Sequence, residues 1–209
     1  MTTAKYDPHA ARWTEEAYAD PAGYLGRRAE LVARLGPALV TGDRVLDLAC
    51  GDAGLAEPLL ERGLAYTGVD LSGPMVEAAR RRLGGRGEIH VGDLNDFRPA
   101  GPVAAATCFR AVYYARDRRA FFRHVAAFTE KKLVFDLNPR QYRLADVAAD
   151  LRAAGLDRLE ARPFFSPQRL ALPAPLAALL RAAERFGPLA RLVLRARFSY
   201  VCAAYRSGA

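Results

Sequence analysis

From Arg44 onward, short apolar runs alternate strictly with amphipathic helical segments, and few folds accommodate that pattern. Arg44–Cys50 (RVLDLAC), Ala65–Leu71 (AYTGVDL), Glu88–Leu94 (EIHVGDL), Val103–Arg110 (VAAATCFR) and Lys131–Asn138 (KKLVFDLN) read as strands. The first of them is a short apolar run of the kind that suits a parallel strand buried on both faces. Helices are expected near Leu55–Arg62, Ser72–Leu83, Arg118–Phe128 and Gln141–Ala154. Pro58 is tolerable in a first turn, Pro74 sits at the first helical position, and Gly63, Gly84 and Gly155 follow the helix ends. Leu156–Phe165 and Phe198–Arg206 read as a last pair of strands. The alternation implies an α/β, doubly wound, Rossmann-like sheet, mostly parallel, with a final antiparallel strand.

Two segments flank this pattern. Residues 1–43 read as an aromatic-rich helical cap with Tyr6, Trp13, Tyr18 and Tyr24, closed by Gly36-Pro37. Residues 166–197 interrupt the last strand pair, where a hairpin needs only about two to five residues. Leu172, Leu176, Leu179, Leu180 and Ala183 share one helix face there, opposite Arg181 and Arg185. A second helix is expected from Pro188, with Leu189, Leu192 and Val193 inside and Arg191 and Arg195 outside. Both helices are expected to pack on the main domain as a cover on the substrate side; an anionic membrane surface is the alternative for such a basic amphipathic pattern. The 209 residues, 51% hydrophobic, then form one domain: cap 1–43, core 44–165 and 198–206, insertion 166–197.

The chemistry lies where the strands end. In an open parallel sheet, ligands bind beyond the carboxyl ends of the strands, at the switch in strand order. The first three ends read Asp47-Leu48-Ala49-Cys50-Gly51-Asp52-Ala53-Gly54, Gly68-Val69-Asp70 and Gly92-Asp93-Leu94. The first is a small-residue loop that lets backbone approach a ligand above a helix N-terminus. Asp70 can accept both hydroxyls of a ribose, and Asp93 is within reach of an exocyclic amine. Three acidic ends around such a loop fit a nucleoside without phosphate, because Asp47 and Asp52 would repel a pyrophosphate. A nicotinamide-dependent oxidoreductase would need G-x-G-x-x-G, which Ala49–Gly54 does not supply. A decayed, non-catalytic binding site is opposed by intact Asp47, Asp70 and Asp93.

Over Arg44–Ala154 the chain resembles the class I S-adenosylmethionine-dependent methyltransferases. VLDLACGDAG is similar to their first motif, YTGVDLS to the second and HVGDLNDF to the third. Ala49 and Ala53 stand where the family has glycine; only Gly51 is kept. The resemblance implies S-adenosyl-L-methionine as cofactor. Asp47, Ala49 and Gly51 would lie by its methionine and ribose, Asp70 would hold the ribose hydroxyls, Leu71 and Leu94 would enclose the adenine, and Asp93 would accept from its amino group. Phe109 belongs with the same cofactor-binding set.

Methyl transfer from a sulfonium is a direct displacement, so proximity and orientation dominate. Candidates on the acceptor side follow the fourth strand: Arg110, Tyr113 and Tyr114, with His9 in the cap as the one histidine to test as a base. The cap aromatics, with Phe164 and Phe165, suggest an aromatic or apolar small molecule, and Arg110 an anionic group on it. No metal is expected: the fifth strand offers Asp136 and Asn138, but Arg110 stands where a metal-dependent relative would want a carboxylate. Cys50, Cys108 and Cys202, with no CxxC, read as reduced thiols of a cytoplasmic protein, and MTTAKYDPHA has no secretory h-region. No run nears the 18 apolar residues of a membrane span. The net charge is +8, which keeps a nucleic-acid (RNA) methyltransferase as the alternative. The cations are nearly all arginines spread over the helices, however, and the tightest cluster, Arg80-Arg81-Arg82, reads as a solvated helix face.

Overall fold

A computed structural model describes residues 6–184 and 198–208. A 3-10 helix, Asp7–Arg12, leads into α1 (Trp13–Ala17) and α2 (Pro21–Arg34). Then come β1 (Arg44–Leu48), α3 (Ala56–Leu60), β2 (Ala65–Asp70), α4 (Gly73–Leu83), β3 (Glu88–Val91) and β4 (Val103–Cys108). A 3-10 turn, Val112–Tyr114, precedes α5 (Arg118–Ala126), β5 (Thr129–Leu137), α6 (Leu144–Ala153), β6 (Arg158–Phe164), α7 (Ala174–Ala183) and β7 (Ser199–Tyr205). The strands form one sheet in the order β3-β2-β1-β4-β5-β7-β6. Neighbours from β3 to β5 are parallel, and β7 runs antiparallel to both β5 and β6. This is a doubly wound, Rossmann-like architecture with an antiparallel edge. Strand order reverses beside β1, so the carboxyl ends of β1, β2 and β4 open a crevice at one edge.

Side chains of successive strand residues enter opposite cores, as the two-residue period requires. Val45, Ala105, Val134 and Ala203 pack with Leu25, Ala29 and Val32 of α2, Leu59 of α3 and Val76 and Ala79 of α4. Leu46, Ala106, Phe135 and Cys202 pack with Phe121, Phe122 and Val125 of α5 and Val147 and Leu151 of α6. All six residues of β4 are buried. Local chemistry sets the helix starts. Asp20 accepts from the Gly23 amide with Pro21 behind it, and Ser72 accepts from the Met75 amide. Gly73, not Pro74, is the first residue of α4, and Gly84 ends it at φ 55°.

The insertion departs from the sequence reading. Leu180 and Ala183 of α7 pack against Phe165, Phe198 and Tyr200, and Glu184 accepts from the Phe165 amide and pairs with Arg27. Leu176 and Leu179, expected on the same buried face, are 43% and 64% exposed. One turn of α7 docks on the domain, and that contact is too short to cover the whole leucine row. The second helix expected from Pro188, with Arg185, lies outside the described residues.

Lys132 of β5 ties the cap to the sheet. Its ammonium is buried and donates to the carbonyls of Leu35, at 2.7 Å, and Ala33, where the last turn of α2 leaves acceptors open. Burial holds its pKa down to about 8. Between that value and the ordinary one near 10.4, the unfolded chain binds the proton more tightly than the folded one, so this group makes stability rise with pH across the window. The stability difference between wild type and Lys132→Met, read by urea unfolding, should therefore shift in favour of wild type by up to about 3 kcal/mol from pH 7.5 to pH 10.5. A difference independent of pH would contradict this placement of the ammonium.

Candidate active site

The loop after β1 has an unusual backbone. Ala49, Gly51 and Ala53 all lie in the left-handed region, at φ 60°, 58° and 58°. Only glycine enters that region without cost. The loop is held from three sides. Asp70, at the end of β2, accepts from the Gly51 amide at 2.8 Å and from the Ser72 amide at 2.9 Å. The Cys50 amide donates to the Val69 carbonyl. Asp52 accepts from the amide and hydroxyl of Thr14 at 3.0 and 2.6 Å and pairs with Arg82 at 2.7 Å. A Cβ on Gly54 would stand 2.2 Å from the Thr14 hydroxyl, and one on Gly51 3.2 Å from the Trp13 ring. Both glycines let α1 sit down on the loop. Asp7 receives the Ser72 hydroxyl at 2.6 Å, and the hydroxyls of Tyr6 and Tyr114 meet. The cap is thus bonded to three loops at the strand ends.

Beneath the cap is a cavity at the carboxyl ends of β1–β4. Asp47, Ala49, Gly51, Asp70, Leu71, Asp93, Leu94 and Phe109 all line it, as do Arg110, Tyr113 and Tyr114. His9 does not: its ring pairs with Glu16 at 2.7 Å on the outer surface of the cap. Asp47 is buried and accepts from Tyr66 and Thr107 at 2.9 and 2.6 Å. Burial outweighs these bonds and pushes its pKa up to about 6. Burial likewise raises Asp70. Asp93 is more exposed: burial opposes its charge, but Asn95 and Arg116 overcome that and hold its pKa low. Its Oδ1 accepts from the Asn95 amide, and its Oδ2 pairs with Arg116 at 2.6 Å.

A second cavity, about 700 Å³, opens beside the first, beyond β4, β5 and β6. Tyr142, Phe164, Phe198 and residues 166–170 of the insertion wall it, and it shares Arg28, Arg110, Ala111 and Tyr113 with the first. Arg28 escaped the sequence reading. It is 2% exposed, donates to Asp136 at 2.6 Å and to Tyr24 at 3.1 Å, and lies over the Phe109 ring at 4.3 Å. The signal was present: with Leu25, Ala29 and Val32, position 28 falls on the apolar stripe of α2, where a cation needs a reason. Asp136 binds Arg28 through Oδ2 and the Arg110 amide through Oδ1, at 2.6 Å. Arg82 and Asp52 were also underread. Arg82 anchors the loop rather than facing solvent, and Arg80 binds Glu77 and the Ile89 carbonyl. The three cysteines are free thiols.

This arrangement, a doubly wound sheet with a carboxylate-rimmed cavity at its switch point, is that of a methyltransferase domain, and residues 45–132 match the methyltransferase-domain family. Methyltransferases of known structure that share this fold are described as S-adenosylmethionine-dependent or hold that donor. A curated relative from Xanthomonas axonopodis pv. citri, named ubiquinone biosynthesis O-methyltransferase, is 32% identical over 161 residues, covering 72% of this chain and 64% of the relative. The chain thus spans slightly less than two thirds of that relative's length. A TehB-like SAM-dependent methyltransferase from Corynebacterium glutamicum shares the fold with a TM-score of 0.65 at 17% identity, over 99% of this chain and 100% of that one. A chain from the complex between the Haloferax volcanii Trm112 methyltransferase activator and a methyltransferase gives 0.68 at 18% identity, over 97% and 98%.

The left-handed alanines carry a measurable cost. Replacing Ala49 with glycine should raise stability by about 1 kcal/mol, or about 2–4 °C in Tm, because the strain relieved exceeds the added chain entropy of the unfolded state. Ala53→Gly should gain less, since its methyl is fully buried. A lower Tm for Ala49→Gly would contradict the loop conformation.

Proposed function

We propose that the chain transfers a methyl group from S-adenosylmethionine to a small organic acceptor with an aromatic or apolar body and an anionic group. The observation that carries this reading is the pair of adjoining cavities. The first has the acidic rim that suits a nucleoside without phosphate; the second is aromatic, and the two meet at Arg28, Arg110, Ala111 and Tyr113. The relative named for ubiquinone biosynthesis supports a small acceptor. A nucleic-acid acceptor is less favoured, because many arginines are already engaged: Arg80, Arg82, Arg86, Arg116, Arg118 and Arg119 each bind a carboxylate.

In this reading S-adenosylmethionine supplies an electrophilic methyl on a sulfonium with a neutral thioether as leaving group. The chain's residues orient and enclose. Asp70 keeps lone pairs free beyond the two amide bonds it accepts and would hold the ribose hydroxyls. Leu71 and Leu94 would flank the adenine, and Asp93 would take its amino group. Asp47 would place buried negative charge near the cationic methionine end. Ala49, Gly51 and Phe109 would close the walls. Tyr113 and Tyr114 would stand beside the reacting end, and the Tyr114 hydroxyl meets that of Tyr6 in the cap. Burial raises both hydroxyls above the ordinary tyrosine value, so both stay protonated at neutral pH and neither serves as a base. Proximity therefore supplies the main rate effect. Asp136, which a divalent metal would require, is already held by Arg28 and the Arg110 amide, so no metal is assigned a role.

S-adenosylhomocysteine should bind in calorimetric titration, and Asp70→Ala should weaken it tenfold or more, the loss expected from charge-assisted hydrogen bonds of about 1.5–3 kcal/mol. Equal affinity in the variant would remove Asp70 from the donor site.

A further inference from the structure

The two cavities differ in the charged side chains that line them. Asp47, Asp52, Asp70 and Asp93 line the first against two guanidiniums, those of Arg28 and Arg110. Among the described residues the second has three guanidiniums, Arg28, Arg110 and Arg169, against the single carboxylate of Asp136. Within the second, Arg28 and Asp136 neutralise each other at 2.6 Å. Arg110 has no carboxylate partner among the described residues. Its guanidinium lies 5.7 Å from the Trp13 ring centroid, at the wall the cavities share.

Arg110 also has a backbone that an arginine rarely adopts, φ 55°. Its amide donates to Asp136 Oδ1 at 2.6 Å, and Asp136 is itself fixed by Arg28 through Oδ2. Arg28 cannot move easily. It is packed against Phe109 and Tyr24 and buried, and its Nε has no partner. A buried donor without a partner is costly unless a ligand takes it. The chain Arg28–Asp136–Arg110 amide therefore fixes the backbone from which the Arg110 guanidinium projects at the junction.

We propose that Arg110 recognises a carboxylate on the methyl acceptor, and that Asp136 is the positioning residue that holds Arg110 for it. The proposal rests on reading the second cavity as the acceptor site. A guanidinium matches a carboxylate in charge and in planar geometry, and the aromatic wall of Tyr142, Phe164 and Phe198 suits an arene attached to it. The donor's own methionine carboxylate is the competing source of the same chemistry.

The test uses the full chain saturated with S-adenosylhomocysteine and titrated, by ligand-observed NMR, with benzoate and with its uncharged counterpart benzamide. Benzoate should bind at least tenfold more tightly. Arg110→Gln should abolish the difference, and Asp136→Asn should reduce it at least threefold; Arg110→Gln carries the test alone if the second variant does not fold. Equal binding of the two probes by the wild type, or a benzoate preference that survives Arg110→Gln, overturns the proposal. So does a tenfold loss of S-adenosylhomocysteine affinity in Arg110→Gln with 5′-methylthioadenosine unaffected, since that assigns the guanidinium to the donor's carboxylate. Failure of the wild type to bind S-adenosylhomocysteine at all would instead remove the donor-site reading.

Discussion

Three left-handed residues within five positions is a conformation that the chain after β1 would not hold by itself, and the site is built around enforcing it. Two of the three are alanines, each costing on the order of 1–2 kcal/mol in that region. Asp70 supplies the restraint at Gly51, the β2 backbone the one at Cys50, and Asp52 the one that reaches the cap. Because Thr14 is the donor to Asp52, the cap and the loop form one mechanical unit. Arg82 completes it by binding both the carboxylate and the carbonyl of Asp52. The wall of the first cavity is therefore fixed before any ligand arrives, and preorganisation of that kind lowers the entropic cost of binding.

Charge is distributed on the same plan. The chain's net charge of +8 gives no hint of a cavity rimmed by four carboxylates. Asp47 is the most costly of these, buried with its pKa near 6. A carboxylate kept at that expense is compensated when a cation lies beside it, as the sulfonium and ammonium of S-adenosylmethionine would. Across the shared wall the balance of charge shifts, through residues drawn from α2, the loop after β4, and β5. Three elements far apart in sequence thus meet at one place, and Lys132 secures the end of α2 to the strand that carries Asp136.

The legible parts of the sequence were those governed by local rules. Apolar runs carrying Asp47, Asp70 and Asp93 located the ends of the first three strands to within two residues, and Ser72 with Gly84 bounded α4. The mostly parallel sheet with its final antiparallel strand could be inferred because strands alternating with helices leave few alternatives. What escaped was non-local. Ala49 and Ala53 looked like departures from a glycine pattern, but restraints from β2 and the cap impose the same backbone on them. Arg28 carries no local signal of its partner, because Asp136 lies 108 positions away. His9 looked like a base because it lies in the cap; the turn of its helix puts it on the outer side, against Glu16. Of the leucine row of 172–183, Leu172 precedes α7, and packing against Phe165 and Phe198 reaches only the end of the helix.

The central claim is that the loop and the cap together form the donor site, with the second cavity left open for the acceptor. Amide hydrogen exchange with and without S-adenosylhomocysteine tests it directly. The expected result is slowed exchange at 49–54 and across 6–17, with residues 166–170 unchanged by that ligand alone. Protection confined to 166–170, or an unaffected loop and cap, would contradict it.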